Sequence, residues 1–108
     1  MTPPKQIDVV KLQAAAAKAS GLLKTLANRD RLLLLCQMTQ GEFAVATLAD
    51  MSGIRQPTLS QQLTVLREEG LVNTRREGKH IFYSVASAEA LAVLQVLYQC
   101  YCPNDEEQ

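Results

Sequence analysis

The sequence is poor in the side chains from which most enzyme sites are built. It has one histidine, His80, and no tryptophan among its 108 residues. No C-x-x-C pair, glycine-rich phosphate loop or cluster of carboxylates appears in the chain before its acidic tail. A thiol enzyme would need an acid–base partner near a cysteine, and His80 lies instead in a basic stretch, RREGKH. These absences argue against an enzyme.

An excess of charge and a long apolar run are also missing. Eleven Lys and Arg balance eleven Asp and Glu, which argues against a histone-like coat for nucleic acid but allows a local basic patch. No apolar run approaches the roughly 20 residues that span a bilayer, and the first residues, MTPPKQID, lack an apolar signal core. We therefore expect a cytoplasmic protein without a membrane partner. Its three cysteines are not a disulfide scaffold in that compartment.

The chain does contain a regular series of helix signals followed by one hairpin signal. Asp8, Asn28 and Ser87 are suited to cap helices, Pro57 suits a first helical residue, and Gly41 ends an apolar helical run. The predicted helices cover residues 8–27, 29–40, 44–51, 57–70 and 88–102, and β-branched and aromatic residues predict strands at 71–76 and 80–85 with 77–79 between them.

This order predicts one mainly α domain with a β-hairpin, over residues 8–102. A flexible N-terminal arm, 1–7, is expected before the domain, and an acidic tail, 103–108, is expected after it.

The stretch LADMSGIRQPTLSQQLTVLREEG has the spacing of a helix-turn-helix motif. Gly53 can adopt the positive φ that the turn requires. Leu59, Leu63 and Leu66 follow at helical spacing, so they form one buried stripe. Small polar groups then face outwards, where glutamine can pair with adenine and hydroxyls can reach bases or phosphates. The outward residues are Thr58, Ser60, Gln61, Gln62 and Thr64, with Arg55 and Gln56 just before them.

The hairpin that follows is basic at its tip. Arg75, Arg76, Lys79 and His80 lie within six residues, a pattern suited to phosphates or the minor groove. A solvated helix face is the plain alternative for the polar helix, but such faces are usually built from Lys and Glu. A winged domain used only for protein contacts is a further alternative, although it would not need this combination. A helix-turn-helix with a basic hairpin indicates a winged helix that binds double-stranded DNA.

Three segments, LLKTLANRDRLLLLC, PTLSQQLTVLREEGLV and TRREGKHIFYSV, together with the element order, resemble the ArsR/SmtB family of bacterial repressors. The resemblance covers about residues 12–102. It implies a homodimer built from the first and last helices. Composition agrees independently, because VVKLQAAAAKASGLLKTLA and ALAVLQVLYQCYC are more apolar than the outer helices of a small monomer should be.

The metal sites familiar in that family are not matched. One uses thiols in the third helix, where this chain has EFAVATL, with Ala44 and Ala46 at the matching positions. Another uses Asp, His and Glu on the last helix, which here has neither His nor Asp. We therefore expect no metal and no cofactor at these sites.

The cysteines offer another signal. Cys36 and Cys102, with their bordering sequences, resemble the thiol pair of the family's sulfide- and persulfide-responsive branch, which includes biofilm growth-associated repressors. That resemblance implies that reactive sulfur species or an oxidant link the two thiols and release operator DNA. Cys36 considered alone would be a buried, inert core residue. Cys100 leaves open a three-thiol site, with Cys36 and Cys102, for arsenite or Cu(I).

Overall fold

The computed structural model describes residues 8–102, so the predicted arm and acidic tail lie outside the described residues. The elements are α1 (Val9–Leu26), α2 (Arg29–Met38), β1 (Phe43–Ala44), α3 (Val45–Ser52), α4 (Thr58–Glu68), β2 (Val72–Glu77), β3 (His80–Val85) and α5 (Ala88–Tyr101). The predicted order of four helices, a hairpin and a last helix is therefore confirmed.

Three helices begin where the sequence places a capping side chain. The carboxylate of Asp8 accepts a hydrogen bond from the Val10 N–H at 2.9 Å. Asn28 and Ser87 each accept one from the N–H three residues further on, at 2.9 and 3.0 Å. These bonds satisfy donors that have no partner within the first turn of a helix.

A short strand, β1, was not predicted. Phe43 and Ala44 pair antiparallel with Tyr83 and Phe82 of β3, which gives a three-stranded sheet in the order β1-β3-β2. The predicted third helix began at Ala44, but this residue lies in the strand and α3 begins at Val45. The prediction was wrong there because the strand exists only through pairing with a segment distant in the sequence.

Several boundaries differ by a residue or two from their predictions. The hairpin loop has two residues, 78–79, since Glu77 already pairs with His80. Pro57 precedes α4 and is its N-cap, not its first residue. Gly53 and Gly70 have φ angles of 73° and 74°, a region that favours glycine, and each follows the end of a helix.

The core lies between α2, α3, α4 and the sheet, and the start of α5 closes it. Its members are apolar and 8% exposed or less: Leu26, Leu34, Leu35, Met38, Leu48, Ile54, Leu59, Leu63, Leu66, Leu71, Val72, Tyr83, Ala90 and Leu94.

The terminal helices contribute little to this core. In α1 the buried residues are Thr25 and Leu26, whereas Val10 is 73% exposed. In α5, Val96 and Tyr98 are 56% and 60% exposed. Among residues 8–102, no helix is both long and apolar enough to cross a membrane.

Candidate nucleic-acid interface and thiol cleft

The helix α4 has one buried side and one polar side. Leu59, Leu63 and Leu66 are at most 2% exposed and anchor the helix to the core. Ser60, Gln61 and Thr64 are exposed, as predicted. Because the leucine stripe fixes the rotation of α4, these three polar residues form an accessible face of a helix that follows a tight turn.

Two of the polar residues in this region, Gln56 and Thr64, form hydrogen bonds with the backbone of α4. The side-chain oxygen of Gln56 accepts a hydrogen bond from the Ser60 N–H at 3.0 Å, so Gln56 caps the first turn although Pro57 occupies the cap position. The Thr64 hydroxyl donates to the Ser60 carbonyl at 2.8 Å. Both side chains stay exposed, so their remaining polar atoms face solvent.

Two of the residues predicted to face outwards do not do so fully. Thr58 is half-buried, and so is Gln62. The Gln62 side-chain oxygen accepts a hydrogen bond from Nη1 of Arg31 at 2.9 Å. The prediction for Gln62 was therefore wrong, because helical spacing alone does not reveal a partner on another helix.

All of the basic residues predicted on the wing and before α4 are exposed. They are Arg55, Arg75, Arg76, Lys79 and His80. The hairpin formed by β2 and β3 therefore presents a basic tip beside a helix-turn-helix, as predicted.

Arg75 differs from its neighbours because two carboxylates hold it. Its guanidinium donates to Glu42 at 2.7 to 3.1 Å and also pairs with Glu77. Its central carbon lies 4.7 Å from the ring centre of Phe82. The hydrogen bond from Arg75 lowers the pKa of Glu42, and the bonds to Glu42 and Glu77 raise the pKa of Arg75. Arg75 thus braces the wing against the segment before β1.

Glu42 and Arg31 contribute to this region without any sequence signal that points to their roles. Glu42 precedes β1, whose existence depends on long-range pairing. Arg31 lies in the first turn of α2 with no local pattern that points to α4. Both contacts are non-local, so no short-range signal could have indicated them.

A cleft of about 830 Å³ lies between α2 and α5 and contains two of the thiols. Cys36 is half-buried and Cys102 is exposed. The lining, within the described part of the chain, contains no charged side chain: Cys36, Gln37, Thr39, Gln40, Leu91, Leu94, Gln95, Tyr98, Gln99 and Cys102. The structure thus places the two predicted sensing residues on one cavity, one from the globular body and one from the end of the last helix.

The two thiols differ in burial, since Cys36 is half-buried and Cys102 is exposed. Burial raises the pKa of the Cys36 thiol above its ordinary value of 9.0, and the nearby Cys102 raises it further. A thiolate is the nucleophile in sulfur exchange, and the raised pKa lowers the thiolate fraction of Cys36. Exposed Cys102 is the better placed of the two to react first with a molecule from solution.

Cys100 does not join this pair. It is exposed and is absent from the cleft lining. Over residues 8–102, no group of three or more His, Cys, Asp or Glu side chains is arranged to hold a metal ion. The three-thiol alternative therefore gains no support from a single chain.

Comparison with known proteins agrees with this architecture. Residues 28–74 match the family described as bacterial regulatory protein, arsR family. Over 101 residues, the chain is 48% identical to the biofilm growth-associated repressor of Agrobacterium fabrum, covering 94% of this chain and 86% of that protein. The chain belongs to the ArsR family of bacterial regulatory proteins. The family resemblance drawn from the sequence is thereby confirmed.

Solved structures of similar proteins have the same fold. The crystal structure of the transcriptional repressor BigR from Xylella fastidiosa superposes with a TM-score of 0.83 at 44% identity, over 91% of this chain and all of that one. Reduced HlyU from Vibrio cholerae gives 0.82 at 40% identity, over 86% and 98%. A homodimeric winged helix-turn-helix DNA-binding domain from Mycobacterium bovis gives 0.71 at 31%, over 91% and 89%. The predicted winged helix-turn-helix fold is confirmed.

Family membership also decides the broad class of function. The chain is a DNA-binding transcriptional regulator of the ArsR family, and the prediction that it is not an enzyme is confirmed.

The difference between the two cleft thiols predicts an order of alkylation. With iodoacetamide at neutral pH, Cys102 should react before Cys36, because Cys36 is less exposed and its thiolate fraction is small. The pH midpoint of Cys36 alkylation should lie above that of an ordinary cysteine, since burial raises its pKa. Peptide mass spectrometry against time measures both rates.

A Cys102→Ser variant is the control for the coupling between the thiols. It removes the smaller of the two causes, so the pH midpoint of Cys36 alkylation should fall but stay raised by burial. Faster labelling of Cys36 than of Cys102 at neutral pH would contradict the prediction that Cys102 reacts first.

Proposed function

We propose that the chain is a homodimeric repressor that binds operator DNA and releases it when Cys36 and Cys102 become linked through sulfur. The observation that carries the proposal is the position of the two thiols on one uncharged cleft between α2 and α5. The proposal has two separable parts, DNA binding by the winged body and control by the thiol pair.

The DNA-binding part rests on α4 and the wing. Ser60, Gln61 and Thr64 form an exposed polar face with little bulk, which suits close approach to base edges in the major groove. Arg76, Lys79 and His80 are exposed on the hairpin and suit phosphates. Arg55, Gln56 and Thr58, at the start of α4, are proposed to contact the DNA backbone near the first turn.

The dimer part rests on the apolar faces of α1 and α5. Val9, Val10, Leu12, Val96 and Tyr98 are each more than half exposed. Exposed apolar surface of this extent on the two terminal helices calls for a covering surface. A second copy of the chain supplies an identical apolar face related by twofold symmetry, and a relative from Mycobacterium bovis is described as a homodimer.

The thiol chemistry can be balanced with an inorganic polysulfide as the oxidant. The Cys102 thiolate attacks the central sulfur of HS–S–SH. One S–S bond breaks, hydrosulfide is released, and the product is Cys102–S–S–SH, in which the first sulfur is Sγ of Cys102. The Cys36 thiolate then attacks the central sulfur of that group and expels a second hydrosulfide. The product is Cys36–S–S–S–Cys102, and the two thiol protons leave with the hydrosulfides.

The cleft suits this class of inducer. Its lining of amides, two hydroxyls, two thiols and apolar groups contains no charged side chain in the described chain, so it has no group that selects a large charged ligand. Attack by exposed Cys102 followed by half-buried Cys36 assigns the two thiols the attacking and resolving roles.

Linkage would change the shape of the dimer. Cys36 belongs to α2, which packs in the core next to α4, and Cys102 caps the end of α5. We call α4 the reading helix, because it is proposed to contact base edges. A dimer must place its two reading helices about 34 Å apart, one turn of DNA. A covalent bond between body and terminal helix pulls each body towards its own α5 and so moves α4 away from groove spacing.

The DNA-binding part predicts different effects for two neighbouring arginines. Arg76→Ala should weaken binding to all sequences and reduce the salt slope of binding by about 0.9, the loss of one phosphate contact. Arg75→Ala should reduce the slope less, because Glu42 and Glu77 already neutralise its charge. Fluorescence anisotropy with a DNA fragment from the gene's own upstream region, at several salt concentrations, measures the slopes.

Gln61→Ala provides the sequence-specific counterpart. It should cost about 1 to 3 kcal/mol on the operator and leave binding to a scrambled duplex unchanged. Equal losses on both duplexes, or a larger slope change for Arg75→Ala than for Arg76→Ala, would contradict the proposed interface.

The thiol part predicts that two of the three cysteines are needed for release. After polysulfide treatment, Cys36→Ser and Cys102→Ser should stay bound to the operator, whereas Cys100→Ser, the matched control, should release it like the unchanged protein. Intact-mass and peptide mass spectrometry should find an intramolecular Cys36–Cys102 species with one extra sulfur. Normal release by Cys36→Ser would sink the sensing claim and leave DNA binding intact.

A further inference from the structure

Hydrogen bonds among Thr25, Arg31 and Gln62, which together we call the polar joint, connect the last turn of α1 to the reading helix α4. Arg31 donates from Nε to the backbone carbonyl of Thr25 at 2.7 Å. The same guanidinium donates from Nη1 to the side-chain oxygen of Gln62 at 2.9 Å. Both bonds are partly buried, and one planar group makes them, so the two helices are held in a fixed relation through a third.

Thr25 makes a second connection between the same helices. Its hydroxyl lies 3.4 Å from a carboxylate oxygen of Glu69 and 3.2 Å from the Gly21 carbonyl. Glu69 is the C-cap of α4. Thr25 is 6% exposed and is the buried polar residue of the described chain. The last turn of α1 therefore reaches α4 in its middle and at its end.

We propose that Arg31, Thr25 and Gln62 are positioning residues that set the angle between α4 and the dimer helix α1. The inference rests on the proposed function, since it assigns α1 to the dimer and α4 to DNA. The leucine stripe fixes which side of α4 is buried, but apolar contact is not directional. The two hydrogen bonds from Arg31 are directional and add the missing constraint.

The angle between α4 and α1 affects DNA binding because the proposed dimer is twofold symmetric. In a twofold dimer, any rotation of α4 relative to α1 occurs in both subunits, so it changes the distance and the tilt between the two reading helices. Loss of the joint should therefore weaken operator binding even when the polar face of α4 and the dimer are unchanged.

A different role for Arg31 would be a direct phosphate contact. The side chain is half-buried, and its Nε and Nη1 groups are engaged within the protein. The two roles differ in salt dependence, because a lost phosphate contact reduces the salt slope by about 0.9 whereas a lost positioning bond leaves it unchanged.

The test measures operator affinity and salt slope for variants of the joint. Arg31→Lys keeps the charge but cannot make both bonds from one planar group, and Gln62→Met keeps the length but lacks the acceptor. Each should weaken operator binding about tenfold, and the double variant should lose no more than either alone. Arg31→Gln should show the same loss with an unchanged salt slope.

Arg29→Lys is the matched control, because Arg29 lies on the same helix with a side chain that is 87% exposed. It should bind like the unchanged protein. Thermal unfolding and analytical ultracentrifugation check that each variant folds and dimerises, and Gln62→Met carries the test should the Arg31 variants not fold.

The inference is overturned if Arg31→Lys and Gln62→Met bind the operator normally, if their losses add in the double variant, or if Arg31→Gln reduces the salt slope. These results leave the proposed function standing. Failure of the unchanged protein to bind any upstream fragment would instead defeat the proposed function itself.

Discussion

The rest of the structure depends on α5, which packs against the core on one side and leaves apolar side chains exposed on the other. Ala90 and Leu94, at most 1% exposed, fasten the start of this helix to the core, while Val96 and Tyr98 leave its outer side uncovered. The same helix ends at Tyr101, and its C-cap residue, Cys102, lies on the cleft between α5 and α2. One element thus joins the body, the proposed partner subunit and the proposed sensing site. A change at the cleft acts on the helix that would also set the geometry of the dimer.

Local sequence signals predicted much of the fold because they act within a few residues. Asp8, Asn28 and Ser87 cap helices at the predicted positions, and the leucine stripe of α4 is buried as its spacing requires. The short strand β1 could not be predicted, since two residues become a strand only by pairing with β3. Folding brings such partners together from distant parts of the chain, and no short-range pattern records them.

In the candidate site, too, local sequence signals predicted some features, whereas tertiary contacts determined the others. The exposure of Ser60, Gln61 and Thr64 follows from helical periodicity, which fixes the outward side of α4 once the inward side is known. The contacts of Arg75 with Glu42 and of Arg31 with Gln62 are tertiary, and they alter what two predicted surface residues do. The position of Cys36 and Cys102 on one cleft was implied by family resemblance and not by spacing, because their separation in the chain fixes no distance in the fold.

The proposed mechanism requires that linkage of the body to the terminal helix move the two reading helices away from groove spacing. Double electron–electron resonance tests it directly, with a nitroxide-bearing unnatural side chain at Glu68, an exposed position in the last turn of α4. We expect one narrow distance distribution in the reduced dimer and a shifted one after polysulfide treatment, with no shift in Cys36→Ser. Identical distributions in the reduced and fully linked protein would contradict the account.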